Sequence, residues 1–258
     1  AGGAGKILNN VCALGVGEIF PVGFCGEDGE GFELLRGLSN LPGVRLETFL
    51  QTDARRTFTY CKPLTLAAGR PPREHSRLDC KNWTPTPEAV TDELIGRLDQ
   101  HLQSVDAIIL LDQVDVAETG VVNSRMLRHI GEVASQRPDM WILADSRQGL
   151  ENYPPVCLKM HADELQAMSG IDRAVSVDSA LALAKQLARG KGRHVFITMS
   201  EQGMLGASPD GEVHHVRAIV PPGPIDIVGA GDCVTANLTA ALAAGAGLAE
   251  ALQIAAVA

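Results

Sequence analysis

The stretch DIVGAGDCVTANLTAALAAG, residues 226–245, places two acids around a Gly-Ala-Gly turn at the start of a helix of small residues. Gly229 and Gly231 let the backbone turn sharply, and the helix that we expect to start near Asp232 adds unpaired amides and partial positive charge. Such a turn binds anions. A carboxylate beside it suits phosphoryl transfer, because the amides hold charge on the transferred group while the acid orients or deprotonates an attacking hydroxyl. Alternatively, Asp232 is simply the N-cap of the helix.

The composition limits the classes of protein to which this site can belong. The chain has 258 residues, of which 45% are hydrophobic, and this is enough for a large α/β core. A formal charge of -9 argues against nucleic acid or an anionic membrane as partner, because the field repels phosphate polymers. Six cysteines without a C-x-x-C pair predict reduced thiols and a cytoplasmic location. The sequence predicts neither a membrane span nor a signal peptide.

Short apolar runs alternate with amphipathic stretches along the chain. The runs predict buried strands, and the amphipathic stretches predict helices; the strands are expected at 107–111, 141–144 and 194–198, and the helices at 87–103, 124–136 and 178–189. This alternation predicts an α/β fold whose mostly parallel sheet is covered on both faces. We expect one domain over residues 1–258, with both ends of the natural chain missing.

Residues 46–79 differ from the rest of the chain. The segment ETFLQTDARRTFTYCKPL is rich in strand-forming Thr, Phe and Tyr, and AAGRPPREHSRLD is a turn interrupted by Pro and Gly. The pattern predicts antiparallel β-structure inserted into the α/β chain. A small β lid over a cleft and an edge extension of the main sheet explain it equally well.

The turn at residues 226–232 is similar to the D-T-x-G-A-G-D signature of the ribokinase-like (phosphofructokinase-B) sugar kinases. The other signature of that family resembles GGAGKILNNVCALG at residues 2–15 and GFCGEDGEG at residues 23–31. The resemblance covers nearly all of the chain. Its motifs look most like the heptose 7-phosphate kinase branch, through the Gly-Gly-Ala opening with Asn10, an R-L-D at 77–79, and a T-x-S-E-Q-G-M at 198–204.

The resemblance implies a ribokinase-like three-layer fold, with a mostly parallel sheet and a small β lid built from residues 46–79 and 15–24. It implies ATP-dependent transfer of the γ-phosphoryl group to a hydroxyl of a sugar or sugar phosphate, with Mg²⁺ bridging the phosphates, and a lid that can also join two copies of the chain. The implied residues are, for catalysis, Asp232 with Gly229, Ala230 and Gly231; for substrate, Gly2, Gly3, Lys6 and Asn10; for nucleotide, Thr198, Ser200, Gly203 and Asp226; and for the metal, Glu164.

Some positions depart from the family pattern. His161 replaces the Asn of an N-x-x-E motif, and imidazole suits hydrated Mg²⁺ less well than an oxygen ligand. Ile227 replaces a Thr near the phosphates. Lys6 replaces a substrate-binding Asn and predicts preference for an anionic sugar, although lysine commonly points to solvent. Arg55 and Arg56 either attract such a sugar or are simply solvated.

Two other classes of function compete with a kinase. The departures at these positions also fit a protein that keeps the fold and binds a sugar or nucleotide as a sensor or regulatory subunit. An intact G-A-G-D argues against a mere binder, which has no need of the base. A dinucleotide-binding oxidoreductase would carry G-x-G-x-x-G after an early strand, whereas the Gly-Ala-Gly lies near the end of this sequence.

Overall fold

The computed structural model describes residues 2–170, 175–219 and 228–257. Within these ranges helices and strands are mixed along the chain, and one region consists of short strands. In chain order the elements are α1 (Gly3–Ala13), β1 (Gly23–Gly26), α2 (Gly29–Ser39), β2 (Phe49–Thr52), β3 (Thr59–Cys61), β4 (Leu64–Thr65), β5 (Arg73–Glu74), β6 (Leu78–Cys80), α3 (Glu88–Asp99), β7 (Ala107–Asp112), α4 (Ser124–Gln136), β8 (Trp141–Ser146), β9 (Cys157–His161), α5 (Ala162–Ser169), α6 (Val177–Lys191), β10 (Val195–Thr198), β11 (Met204–Ala207), β12 (Val213–Val216), α7 (Ala230–Ala243) and α8 (Leu248–Ala256).

The main sheet has six strands in the order β12-β11-β10-β9-β8-β7. β7, β8, β9 and β10 run parallel, and β11 and β12 add an antiparallel edge. The predicted α/β class with a mostly parallel sheet is confirmed. β9 was not predicted, because Lys159 interrupts its apolar run. Of the helices that the structure describes, none has the length and apolar character to cross a membrane.

Successive residues of the parallel strands point to opposite faces of the sheet. Ile142 and Leu158 belong to the core beneath α3, α4, α5 and α6, whereas Leu143 and Phe196 pack against α7 and α8. On that second face α1 packs against α7. Ile7 of α1 and Ala236 of α7 belong to one small apolar cluster between the two helices. Helices therefore cover both faces, giving three layers, and the carboxyl ends of four parallel strands meet at one edge.

The remaining strands form small sheets separate from the six-stranded one. β3 pairs with β6 and β4 with β5, both antiparallel, so antiparallel structure in this segment is confirmed. β2 instead pairs parallel with β1, and the expectation of antiparallel pairing is wrong there. Because these sheets are distinct from the main sheet, the interpretation as an edge extension is also wrong.

The G-x-D-x-x-G motif anchors this region to the body of the protein. Asp28 is the N-cap of α2, and its carboxylate accepts hydrogen bonds from Gly31 N (2.8 Å) and from Thr57 Oγ1 (2.6 Å) and N (3.0 Å). Gly26 N in turn donates to Thr57 Oγ1 (2.8 Å). Space is also restricted, since a Cβ at Gly31 would overlap the carbonyl of Gly26. The motif thus joins the end of β1 to the chain that enters β3.

Arg55 and Arg56 have different environments. Arg55 is only 5% exposed, and its guanidinium donates to the carbonyls of Thr84 and Thr119, both at 2.9 Å. Arg56 is exposed, and its backbone N–H donates to Asn82 Oδ1 at 3.0 Å. Both interpretations of Arg55, attraction of an anionic sugar and simple solvation, are therefore wrong, because the side chain is used inside the fold.

Candidate active site

The Gly-Ala-Gly turn is the first turn of α7. Gly229 occupies the N-cap with φ +97°, a left-handed conformation that strongly favours glycine, and the helix begins at Ala230. This start precedes the expected one near Asp232 by two residues. Asp232 is the third residue of the helix, so the N-cap interpretation of its carboxylate is wrong. Its carboxylate lies in the first turn of α7, at the positive end of the helix dipole.

The start of α1 lies against the start of α7. A Cβ placed on Gly3 would be 3.3 Å from Asp232 Oδ1 and 3.1 Å from Gln113 Oε1, the side chain that follows β7. A larger residue here would press on the carboxylate. Gly2 differs, because no described heavy atom lies within 4 Å of the corresponding point and the residue is exposed. Gly3 is thus packed against Asp232 and Gln113, whereas Gly2 is exposed.

Lys6, one turn further along α1, lies beside the same turn. A Cβ on Gly229 would be 2.9 Å from Lys6 Nζ and 2.8 Å from its Cδ, so the lysine side chain extends along the N-terminus of α7. Asn10 lies a further turn away, where its Nδ2 donates to Lys6 O at 2.8 Å. The structure therefore brings Lys6 to the turn, while this contact directs the Asn10 amide to its own helix.

A largely buried ion pair lies on the other side of the turn, and the motifs of the sequence did not predict it. Lys159 Nζ donates to Asp145 Oδ2 at 2.8 Å, and a Cβ on Gly231 would be 3.0 Å from that nitrogen. Thr235 Oγ1, in the second turn of α7, approaches the same Asp145 oxygen at 3.1 Å and also Gly231 O at 3.0 Å. Two lysines, Lys6 and Lys159, thus flank the Gly-Ala-Gly turn.

These charges act on the candidate base. Burial raises the pKa of Asp232, Lys6 opposes the shift, and Asp145 adds to it. Lys159 and Arg147 also lower this pKa. The balance leaves the pKa above the ordinary value for an aspartate, and a carboxylate with a raised pKa is a stronger base toward a hydroxyl.

A second group of predicted residues lies at the ends of β9 and β10. His161 is the N-cap of α5, and Glu164 Oε2 accepts a hydrogen bond from its backbone N–H at 2.6 Å, forming a capping box. His161 Nε2 lies 3.1 Å from Ser200 Oγ, and Thr198 Oγ1 lies 3.5 Å from Met160 O. Histidine at this position thus caps a helix and links the two strand ends.

The two groups are connected through β9. Lys159 belongs to the first group and His161 to the second, and two residues of a strand span about 7 Å. Both groups lie at the carboxyl edge of the parallel strands, where α/β proteins bind their ligands.

Gly203 has a structural reason to be glycine. Its φ is +90°, and a Cβ would overlap Val216 O on β12 and approach Ala218 N at 2.6 Å. The residue therefore permits the tight pairing of β11 with β12, whether or not a nucleotide lies nearby. Asp226 and Ile227 lie outside the described residues.

An anion-binding turn, an acid and two lysines at the carboxyl edge of a parallel sheet are typical of phosphotransferases. The chain matches the description pfkB family carbohydrate kinase over residues 74–258, more than half of its length. It belongs to the pfkB family of carbohydrate kinases, as the sequence predicted.

Curated relatives include proteins named bifunctional protein HldE. The one from Hyphomonas neptunium is 31% identical over 98% of this chain and 50% of its own length, and the one from Trichlorobacter lovleyi is 30% identical over 100% and 50%. The chain therefore spans about half the length of these relatives.

Solved structures with the same fold include two sugar-kinase complexes. Arabidopsis thaliana ribokinase complexed with ribose and ATP has a TM-score of 0.73 at 16% identity, covering 100% of this chain and 79% of that one. Escherichia coli phosphofructokinase-2 in complex with fructose-6-phosphate has a TM-score of 0.72 at 19% identity, covering 100% and 80%. The predicted ribokinase-like fold is confirmed.

Proposed function

We propose that this chain transfers the γ-phosphoryl group of ATP to a hydroxyl of a sugar or sugar phosphate. The observation that carries the proposal is the meeting of Asp232, the glycine turn and Gly3 at one point. The turn offers backbone amides to a phosphoryl group, the carboxylate of Asp232 follows the turn directly, and Gly3 leaves only a narrow approach to that carboxylate. Membership of a carbohydrate kinase family supports the same reaction.

In this proposal Asp232 accepts the proton of the attacking hydroxyl. The oxygen then bonds to the γ-phosphorus while the bond to the ADP oxygen breaks, and the amides of Gly229, Ala230 and Gly231 stabilise the charge of the transferred group. Gly2 and Gly3 border the sugar, Lys6 contacts it, and Asn10 contacts it through the amide oxygen, because its Nδ2 is bonded to Lys6 O. Thr198, Ser200 and Gly203, with Asp226, border the nucleotide.

The described residues suit a magnesium ion that arrives on the nucleotide rather than one held in a protein cage. No group of three or more His, Cys, Asp or Glu side chains able to hold a metal occurs in the described ranges. Mg²⁺ commonly keeps its waters and binds phosphates plus one or two carboxylates. One Glu164 oxygen caps α5, so the other would hold such a hydrated ion. When bound, Mg²⁺ would neutralise charge on the phosphates.

The substrate class that we propose is a sugar that already carries a phosphate, with a heptose phosphate as the narrower choice. The ammonium of Lys6 lies at the turn and provides a positive charge that a neutral sugar would not need. The motif resemblance to the heptose 7-phosphate kinases and the similarity to the HldE proteins support the heptose.

We also propose that the small sheets form a lid that excludes water and joins two copies of the chain. Leu64, Leu66, Leu78 and Trp83 are each more than half exposed in this region, and exposed apolar residues of this kind suit a homodimer contact. Light scattering on the wild type and on Leu66→Asp would test the dimer.

All six cysteines are free, which supports the proposal of a reducing, cytoplasmic location.

The test of the function is ATP consumption with Mg²⁺ against a panel of neutral and phosphorylated sugars. Asp232→Asn should lose about 10²–10⁴-fold in kcat, the usual value of a general base. Asp178→Asn is a matched control, because Asp178 is an exposed acid in the first turn of α6. Lys6→Asn should lower kcat/KM for phosphorylated sugars and spare neutral ones.

Two outcomes would contradict the proposal. Binding of sugar or nucleotide without turnover in the wild type would favour a regulatory binding protein. Equal or better turnover of neutral ribose or fructose would leave the kinase in place but remove the proposed preference for an anionic substrate.

A further inference from the structure

Lys159 lies in the middle of β9, an inner strand of the main sheet. Its neighbours Leu158 and Met160 point into the core beneath the helices on one face, so the lysine side chain points to the other face, toward α7. Lys159 is only 6% exposed. A lysine in such a place loses most of its hydration, and this is unfavourable unless the ammonium is paired.

Asp145 provides one partner for the ammonium and also holds it in place. The carboxylate belongs to the adjacent strand β8 and binds both Lys159 Nζ and Thr235 Oγ1 through the same oxygen. This oxygen fixes the ammonium relative to the first turns of α7. A lysine ammonium has three N–H donors, and Asp145 Oδ2 accepts one of them.

The position of the ammonium relative to the turn is what indicates a function. Lys159 Nζ would be 3.0 Å from a Cβ on Gly231, so it lies directly against the turn whose amides face a phosphoryl group in the proposed reaction. It is also close enough to Asp232 to lower the pKa of that carboxyl. A pair that served only to join β9 to β8 would have no need of this location.

We propose that Lys159 is a catalytic residue that donates a hydrogen bond to the transferred phosphoryl group, with Asp145 as its positioning residue. The inference rests on the proposed kinase reaction. In that reaction the hydroxyl oxygen bonds to phosphorus and the ADP oxygen leaves, while Lys159 keeps its proton and neutralises charge on the group in transit. Glycine at 231 is then required because a side chain would separate the ammonium from the phosphoryl group.

The experiment separates this contact from a purely structural ion pair. Lys159→Met alone leaves Asp145 buried without its cation and can prevent folding. The double variant Lys159→Met/Asp145→Leu removes both charges, while Thr235 keeps its bond to Gly231 O. Asp145→Asn keeps an acceptor for Lys159 but loses the charge that holds the ammonium, so it tests the positioning role, and Asp178→Asn in α6 is the control. Thermal melting establishes that each variant is folded.

The expected result is a folded double variant whose kcat falls about 10²–10³-fold, as for loss of one preorganised donor, with a smaller loss in Asp145→Asn and none in Asp178→Asn. The variant should also lose the difference in affinity between AMP-PNP and ADP, measured by calorimetry, because these ligands differ in the third phosphate. A double variant with wild-type kcat would overturn the proposal, as would a double variant that keeps the wild-type difference in affinity between AMP-PNP and ADP. A wild type that turns over no sugar would instead refute the kinase function on which the inference rests.

Discussion

Replacing Arg55 by Met tests whether the region of small sheets depends on a buried cation. The Arg55 guanidinium makes four hydrogen bonds, two of them at 2.9 Å to the carbonyls of Thr84 and Thr119, and its Cζ lies 5.9 Å from the centre of the Phe24 ring. It thereby joins the chain before β3 to the segments before α3 and α4. In Arg55→Met these carbonyls lose their donor and remain largely buried.

The expected magnitude follows from those contacts. Hydrogen bonds to a charged group contribute about 1.5–3 kcal/mol each, so the two short bonds represent about 3–6 kcal/mol. The loss is partly offset, because burial of the charged guanidinium is itself unfavourable, as the lowered pKa of Arg55 indicates. Replacing the arginine by methionine removes this unfavourable contribution. Its Nε also has no hydrogen-bond partner among the described residues. We expect Arg55→Met to lower the free energy of unfolding by about 2–4 kcal/mol.

Urea denaturation measures this difference, with Arg56→Met as the matched control. The control carries the same substitution one residue away on an exposed side chain and should change the free energy of unfolding by less than about 0.5 kcal/mol. The midpoint of Arg55→Met should fall with an unchanged m-value. Equal effects of the two substitutions would refute the assignment of Arg55 as an internal structural residue.

Two further predictions concern Asp232 and Gly203. Because burial raises the folded-state pKa of Asp232, its contribution to stability is complete below the ordinary aspartate pKa and is lost as pH rises through the folded value. Asp232→Asn should therefore melt higher than wild type at neutral pH, with the difference disappearing in acid; an equal difference at every pH would contradict this. Gly203→Ala should cost about 3 kcal/mol or more in urea unfolding, since strain and overlap with the Val216 carbonyl add. Gly192→Ala, at φ +64° with open space around it, should cost only about 1–2 kcal/mol. Equal losses of unfolding free energy in the two variants would show that overlap with the Val216 carbonyl contributes nothing at Gly203.

Apolar periodicity was enough to predict most of the main sheet. The runs at 107–111, 141–144 and 194–198 correspond to β7, β8 and β10, because buried parallel strands are continuously apolar. The same rule missed β9, since Lys159 breaks its run, and only the adjacent Asp145 explains how a cation is accommodated there. The sequence of β9 alone does not show that Asp145 of β8 forms an ion pair with its lysine.

The site was predictable in its motifs and not in its contacts. The turn and Asp232 follow from glycine geometry and spacing, whereas the nearness of Gly3 to Asp232 depends on how α1 packs on α7. Arg55 and Arg56 are identical in type and adjacent in sequence, and only tertiary structure separates a buried side chain from an exposed one. The roles of the individual site residues remain predictions.

The lysine in β9 has a consequence for how the chain finds its strand pairing. A shift of β9 by one residue would turn every side chain to the opposite face and would place the ammonium of Lys159 in the apolar core beneath α5 and α6, away from Asp145. An apolar residue at this position would tolerate such a slip, but an unpaired buried cation does not. The residue therefore selects a single alignment of the sheet while the protein folds, before any ligand is bound.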